Sequence, residues 1–401
     1  MRRAGRIRAF LGALAALAVV CAVPVAVRGY ALNRTVADKR NAANAALGAC
    51  PQLNRFDTVT PGKLIDRRWH TAMGANIRTV AATPAGRISE AEQMIAESFA
   101  AWTGVSGTTL AGRFEMLMQT TAANACSSND GQNTICFAQS AAFAPGVLAF
   151  TNTVTSDILG ERFPVTAPPS AFIGEVLDAD VLVNPLGNFS TPAALAANPM
   201  TFDLQSILIH ELGHFLGFSH TGVWGAMMYP FAPTPGQFVG SRPTAGAPDA
   251  PLSDDDRAGL RVLYPDAADM LHAGSIRGRI TPANLLSLAG SPAGVTGVFG
   301  AHVVAIDEAT GAVAASTLSG WSCSGAGPPV FDGSYAIERL PVGRSYRVFA
   351  EPLDGPVMPG HMAGATQTLC RNATTDPGWP AQFACTVPPA YTGFTTRFRG
   401  Q

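Results

Sequence analysis

The 401-residue sequence predicts an α+β domain followed by an all-β sandwich. Apolar residues recur at helical spacing in three separated stretches, and short β-type runs bounded by Gly, Asn and Pro lie between them. Beyond Pro265 only the short runs continue. With 47% apolar and 14% charged residues, the composition favours turn-rich globular structure over disorder. A formal charge of -1 carries neither a nucleic-acid footprint nor an acidic tail, so no nucleic-acid partner is expected.

The first residues read as an export signal. Arg2, Arg3, Arg6 and Arg8 precede an uncharged run of 19 residues, Ala9 to Val27, and Gly29-Tyr30-Ala31 has the small-x-small form of a cleavage site. Residues 1–31 are therefore expected to be a signal peptide, although such a run is also long enough to act as an uncleaved anchor. Pro24 and the small-residue exit favour cleavage. With no second run of spanning length, the expected product is secreted, extracellular or periplasmic, without stable membrane association.

Residues 32–75 lack sustained periodicity and read as an extension or short pro-region. The next unit, 76–266, opens with a strand at Ile77–Val80. A helix starts at Ile88, carries Met94, Ile95, Phe99 and Trp102 on one stripe, and stops at Gly104. Strands are expected at Arg113–Met118, Val147–Thr151 and Asp180–Val183, and helices at Phe202–Phe215 and Asp254–Leu263. The proline-rich stretch from Pro230 to Pro251 should be a surface loop. Residues 267–401 carry β-type runs at Ser275–Thr281, His302–Ile306, Ala312–Ser316, Ser334–Ile337 and Tyr346–Ala350, the pattern of a separate sandwich.

The chemistry is concentrated in residues 210 to 220, His-Glu-Leu-Gly-His-Phe-Leu-Gly-Phe-Ser-His. His210 and His214, four apart on a helix, present two imidazoles to one metal ion. Glu211 is turned about 100° from them, too far to join them as a ligand but placed to act as general base on a metal-held water. Gly217 permits a positive-φ helix end, after which the reversed chain can bring His220 in as a third nitrogen ligand. Three neutral imidazoles leave one zinc position open, the arrangement of catalytic rather than structural sites.

This motif, with Met228 eight residues after His220 in Ala226-Met227-Met228-Tyr229-Pro230, resembles the metzincin metallopeptidases, and its spacing resembles the matrixin branch. The resemblance extends to Phe99-Ala-Ala-Trp102, Gly146-Val-Leu-Ala149 and Leu252-Ser-Asp-Asp255. It implies a twisted mixed sheet with three helices, a secreted zinc endopeptidase and protein or peptide substrates. Met228 would lie beneath the zinc, Val147, Leu148 and Ala149 would form the edge that pairs with substrate, and Tyr229 and Pro230 would begin the wall of the S1′ pocket. The stretches Phe331–Ile337, Leu340–Gly343 and Tyr346–Val348 resemble the carboxypeptidase-regulatory-like, transthyretin-like modules of secreted enzymes. A reading of a different class keeps the fold as a non-catalytic scaffold in a secreted binding or surface protein; it would have no use for Glu211.

The sequence also departs from that family. Between His70 and His210 there is no histidine to hold a second, structural zinc, so one zinc per chain is expected. Cys50 sits in Ala49-Cys50-Pro51 rather than in the Arg-Cys-Gly context of a cysteine switch. Ala232 stands where the family usually places an aromatic wall, so substrate preference does not carry over. Asp178, Asp180 and Asp254 to Asp256 offer oxygens to calcium, but no ligand-rich loop supports it, and charge at a helix N-terminus explains the latter run equally well.

Six cysteines remain after the signal, an even number suited to an oxidising compartment. Proximity suggests Cys126 with Cys136 and Cys370 with Cys385, leaving Cys50 and Cys323 either paired or free. Cys126 and Cys136 enclose the polar, coreless Ser127 to Ile135, which a bridge would restrain. Non-reducing peptide mapping of the secreted chain should recover these two cysteines linked. Cys126 bound to a C-terminal peptide, or open to alkylation in the native protein, is the contrary result.

Overall fold

A computed structural model of the chain describes residues 31–32, 34–36, 64–71, 77–80, 88–110, 119–121, 130–137, 143, 146–192, 194–221, 226–233, 235–236, 251–267, 273–284, 295–311, 313–320, 322, 330–352 and 397–398. Residues 1–30 of the expected signal, the strand expected at Arg113–Met118, most of the stretch expected to be a loop before Pro251, and Cys50, Cys126, Cys323, Cys370 and Cys385 lie outside the described residues.

The first described strands are β1 (Ala31–Leu32), β2 (Arg34–Val36), β3 (Leu64–Asp66) and β4 (Ile77–Val80), followed by α1 (Ile88–Thr103). Next come β5 (Gln119–Thr121), β6 (Asn133–Phe137), β7 (Ala149–Thr155), β8 (Val176–Val183), β9 (Phe189–Ser190) and β10 (Phe202–Asp203). Then follow α2 (Leu204–Phe215), β11 (Phe218–Ser219) and α3 (Asp254–Leu263). The remaining strands are β12 (Ala273–Arg279), β13 (His302–Asp307), β14 (Val313–Leu318), β15 (Ser334–Pro341), β16 (Tyr346–Glu351) and β17 (Arg397–Phe398).

The main sheet is mixed, in the order β5-β4-β6-β8-β7. Strands β5, β4, β6 and β8 are parallel, and β7 closes one edge antiparallel to β8. Strand β8 begins four residues before the expected Asp180 because Asp178 and Asp180, both buried, interrupt the apolar run that marks a strand in sequence. Asp180 Oδ1 accepts the Thr134 backbone N–H at 3.1 Å, so its burial serves the β6–β8 junction. Helix α2 starts at Leu204 rather than Phe202, because Asp203 is extended and pairs with Ser190 alongside Phe202 and Phe189.

The core between α1, α2 and the sheet is held at named points. Trp102 Nε1 on α1 donates to Ile209 O at 2.9 Å. Trp69 stacks on Phe215 with ring centroids 4.9 Å apart and donates from Nε1 to Phe215 O at 2.8 Å. Tyr264 Oη accepts from Trp69 N at 3.0 Å and donates to Leu216 O at 2.7 Å. The bonds to Phe215 O and Leu216 O satisfy carbonyls left open at the end of α2. The segment expected to be an extension or short pro-region has buried residues of its own: Leu32, Ile65 and Trp69 are buried, and β1 pairs with β11.

After residue 267 the described strands form two antiparallel sheets, β12–β15 and β14-β13-β16-β17. Helix α3 packs against β14 and β15, and one buried cluster includes Leu208 and Leu260 together with Val303, Ala315 and Ile337. The texture change at Pro265 marks a change of secondary structure across which the core continues.

Gly217 has the positive φ expected of it, 108°, and a Cβ there would come within 2.2 Å of Arg67 O. Gly217→Ala therefore meets backbone strain and an overlap with backbone, and should cost at least ~2 kcal/mol. The check is a fall in the urea midpoint at unchanged slope.

Candidate metal centre

Helix α2 positions two imidazoles by period alone, and the turn after Gly217 supplies the third. His210 Nδ1 donates to Met227 O at 2.7 Å and His214 Nδ1 donates to Phe218 O at 2.9 Å; a carbonyl only accepts, so both rings carry their proton on Nδ1. Their Nε2 atoms are left as acceptors aimed at one place, and His220 Nε2 lies 3.2 Å and 3.1 Å from them. The candidate ligand atoms of the three histidines lie within 4.8 Å of one another, the one such group among the described residues. Burial first, then the neighbouring histidine, pushes His210 down to about 3; the same causes push His220 to about 2, and burial lowers His214. Neutral imidazoles with converging lone pairs are what a zinc ion requires, so the residues fit the metal that the motif implies.

Glu211 is buried beside them. Burial pushes its carboxyl up to about 7, against the opposing effect of Thr151, whose Oγ1 donates to Glu211 Oε2 at 2.7 Å. Met228 packs on Gly213, where a Cβ would lie 2.1 Å from its sulfur, so glycine at 213 lets Met228 close against α2. The backbone that carries Met228 is held from α3: Asp256 accepts N–H groups from Met227 at 2.8 Å and Met228 at 3.2 Å, and forms a capping box with Ser253. The acidic run at 254–256 therefore serves hydrogen bonding as well as helix-end charge.

A cleft of about 960 Å³ crosses this centre. It is lined by the expected Val147, Leu148, Ala149, Tyr229 and Pro230, as well as by His210, Glu211, His214 and His220. Strand β7 is the outermost strand of its sheet, which leaves one side of its backbone toward the cleft. Ala232 lines the cleft as expected without a ring, but Phe231, one position earlier, lines it too, with its ring centroid 5.9 Å from that of Tyr229.

Several lining residues were not signalled by the motif: Arg67, Thr151, Phe202, Ser206 and Ile207. Alternation along β7 could have pointed to Thr151, two positions from Ala149, whereas nothing local points to Arg67. Cys136 is disulfide-bonded, and its expected partner Cys126 lies outside the described residues.

Residues 69–265 match the family model described as Matrixin. This segment is matrixin-like. The chain is 32% identical over 110 residues to Metalloendoproteinase 2-MMP of Arabidopsis thaliana, a stretch covering 27% of this chain and 24% of that protein. It is 38% identical over 69 residues to Metalloendoproteinase 1 of Glycine max, covering 17% and 19% respectively. The chain thus spans about a quarter or less of the relatives it matches. The matrixin-like segment contains the three α-helices of the described residues and the mixed sheet, and no helix among the described residues is long and apolar enough to cross a membrane.

Removing one imidazole from this segment should weaken metal retention without unfolding it. His220→Ala should lose zinc to a competing chelator at least ~10-fold more readily than wild type, by analogy with the 10- to 100-fold losses from altered ligand support. Elemental analysis of dialysed wild type should give one zinc per chain; two tightly held ions would contradict the ligand assignment.

Proposed function

We propose that the protein is a secreted zinc-dependent endopeptidase in which Glu211 is the general base. The observation that carries this reading is the combination of three neutral imidazoles, a buried carboxylate one residue from the first of them, and an edge strand along the same cleft. When bound, a zinc ion polarises a peptide carbonyl and acidifies water.

The protein residues have separable tasks. His210, His214 and His220 hold the metal, and the carbonyls of Met227 and Phe218 keep two of the rings in the required tautomer. Glu211 takes a proton from the attacking water and can return it to the departing amine. Thr151 holds one oxygen of Glu211, leaving the other for that proton. Val147, Leu148 and Ala149 align an extended peptide by strand addition, and Tyr229, Pro230 and Phe231 bound a side-chain subsite. Export after Ala31, disulfides Cys126–Cys136 and Cys370–Cys385, units at 76–266 and 267–401, and a transthyretin-like sandwich in the latter complete the proposal.

Glu211→Ala should lose at least ~10² in turnover on a peptide mixture while keeping fold and zinc. Equal cleavage by mutant and wild type rejects the mechanism, and no cleavage by zinc-loaded wild type favours the scaffold reading. Thr151→Val should lower kcat by about 10-fold with little change in KM, the scale of a hydrogen bond to a charged group, and Thr151→Ser should restore most of it. Steady-state kinetics on one cleaved peptide, run on both variants, is the measurement.

A further inference from the structure

The strands after residue 267 reach the metal centre through side chains. Asp255, 3% exposed, lies at the start of α3. Its Oδ2 accepts the Thr221 hydroxyl at 3.1 Å and its Oδ1 accepts the Ser316 hydroxyl at 3.1 Å. Thr221 directly follows His220, and its N–H donates to Met228 O at 2.9 Å, closing the base of the loop that joins the third histidine to the methionine. Ser316 is buried on β14, 61 residues from Asp255, in the sheet against which α3 packs.

We propose that Ser316 is a positioning residue for the metal centre: the β-rich C-terminal part fixes His220 through Ser316, Asp255 and Thr221. This rests on the zinc-site reading above and goes beyond it by giving the C-terminal strands a task in that site. A carboxylate with a hydroxyl on each oxygen is restrained about its side-chain torsions. Without the Ser316 hydroxyl, one oxygen of a buried carboxylate loses this donor, and the carboxylate can turn. Thr221 turns with it, and the loop end bearing His220 keeps its backbone bond to Met228 O but is held less firmly from the side of α3. Asp256 secures the other end of the same loop through Met227 and Met228, so Asp255 and Asp256 together brace both ends from consecutive positions.

The test measures zinc release from the full zinc-loaded chain to an excess of a chromogenic chelator, well below the unfolding transition, with near-ultraviolet circular dichroism as the check of fold. Ser316→Ala should accelerate release by about three- to tenfold, at or below the 10- to 100-fold reported for direct supports of ligands. Thr221→Val should accelerate it at least as much, and the double variant no more than Thr221→Val alone, because both act on one chain of contacts. Val303→Ala removes buried volume from the neighbouring strand β13 while leaving the Ser316, Asp255 and Thr221 side chains in place, and should lower the unfolding temperature while leaving release at the wild-type rate. Wild-type release from Ser316→Ala, multiplying effects in the double variant, or acceleration by Val303→Ala in proportion to lost stability each overturns the positioning role. A wild type that holds no zinc overturns the metal-site reading and this inference with it. A zinc-holding wild type whose release is insensitive to Ser316 overturns this inference alone.

Discussion

Three ring nitrogens must be held within 4.8 Å of one another, with His220 Nε2 at 3.2 Å and 3.1 Å from those of His210 and His214, and most of the surrounding structure serves that constraint. The Met227 and Phe218 carbonyls commit the protons of His210 and His214 to Nδ1, so their Nε2 lone pairs face a shared point with no donor of their own. Such an arrangement persists only if the backbone behind it is rigid. Trp102 braces α2 at Ile209, Trp69 and Tyr264 brace its end at Phe215 and Leu216, and Asp256 fixes the turn that carries Met227. The clustering is thus maintained by side-chain hydrogen bonds to buried backbone, of which those to Phe215 O and Leu216 O reach carbonyls beyond the helical ladder.

The same frame explains why the Glu211 carboxyl sits where it does. Glu211 is on the helical turn between His210 and His214, and β7 crosses α2 closely enough for Thr151 to reach both the side chain and the backbone carbonyl of Glu211. Strand β7 is antiparallel at the sheet edge, so one side of it pairs with β8 while the other borders the cleft. One strand therefore both orients the Glu211 side chain and borders the cleft with its other side, the two tasks that the proposed function asks of it.

Much of this was legible in the residues. The interval of four between His210 and His214 places both on one helical face, Gly217 announced the reversal that brings in His220, and α3 matched its expected bounds at Asp254 and Leu263. Elements with buried polar residues were harder to bound: Asp178 and Asp180 hid the first half of β8, and Asp203 held Phe202 out of α2. The stretch around Trp69 looked featureless because its role depends on a partner 146 residues away.

The sequence by itself determined the clustering of His210, His214 and Glu211 on one helix, the turn that brings in His220 and the order of the described helices, because these depend on spacings within a turn or two, where periodicity is set by local backbone geometry. Only the tertiary structure decided that Thr151 meets Glu211 across 60 residues, that Trp69 and Tyr264 close the end of α2, and that Ser316 joins the histidine loop through Asp255. Those contacts depend on strand register and on how α3 packs against β14, and a pattern of neighbours along the chain encodes neither.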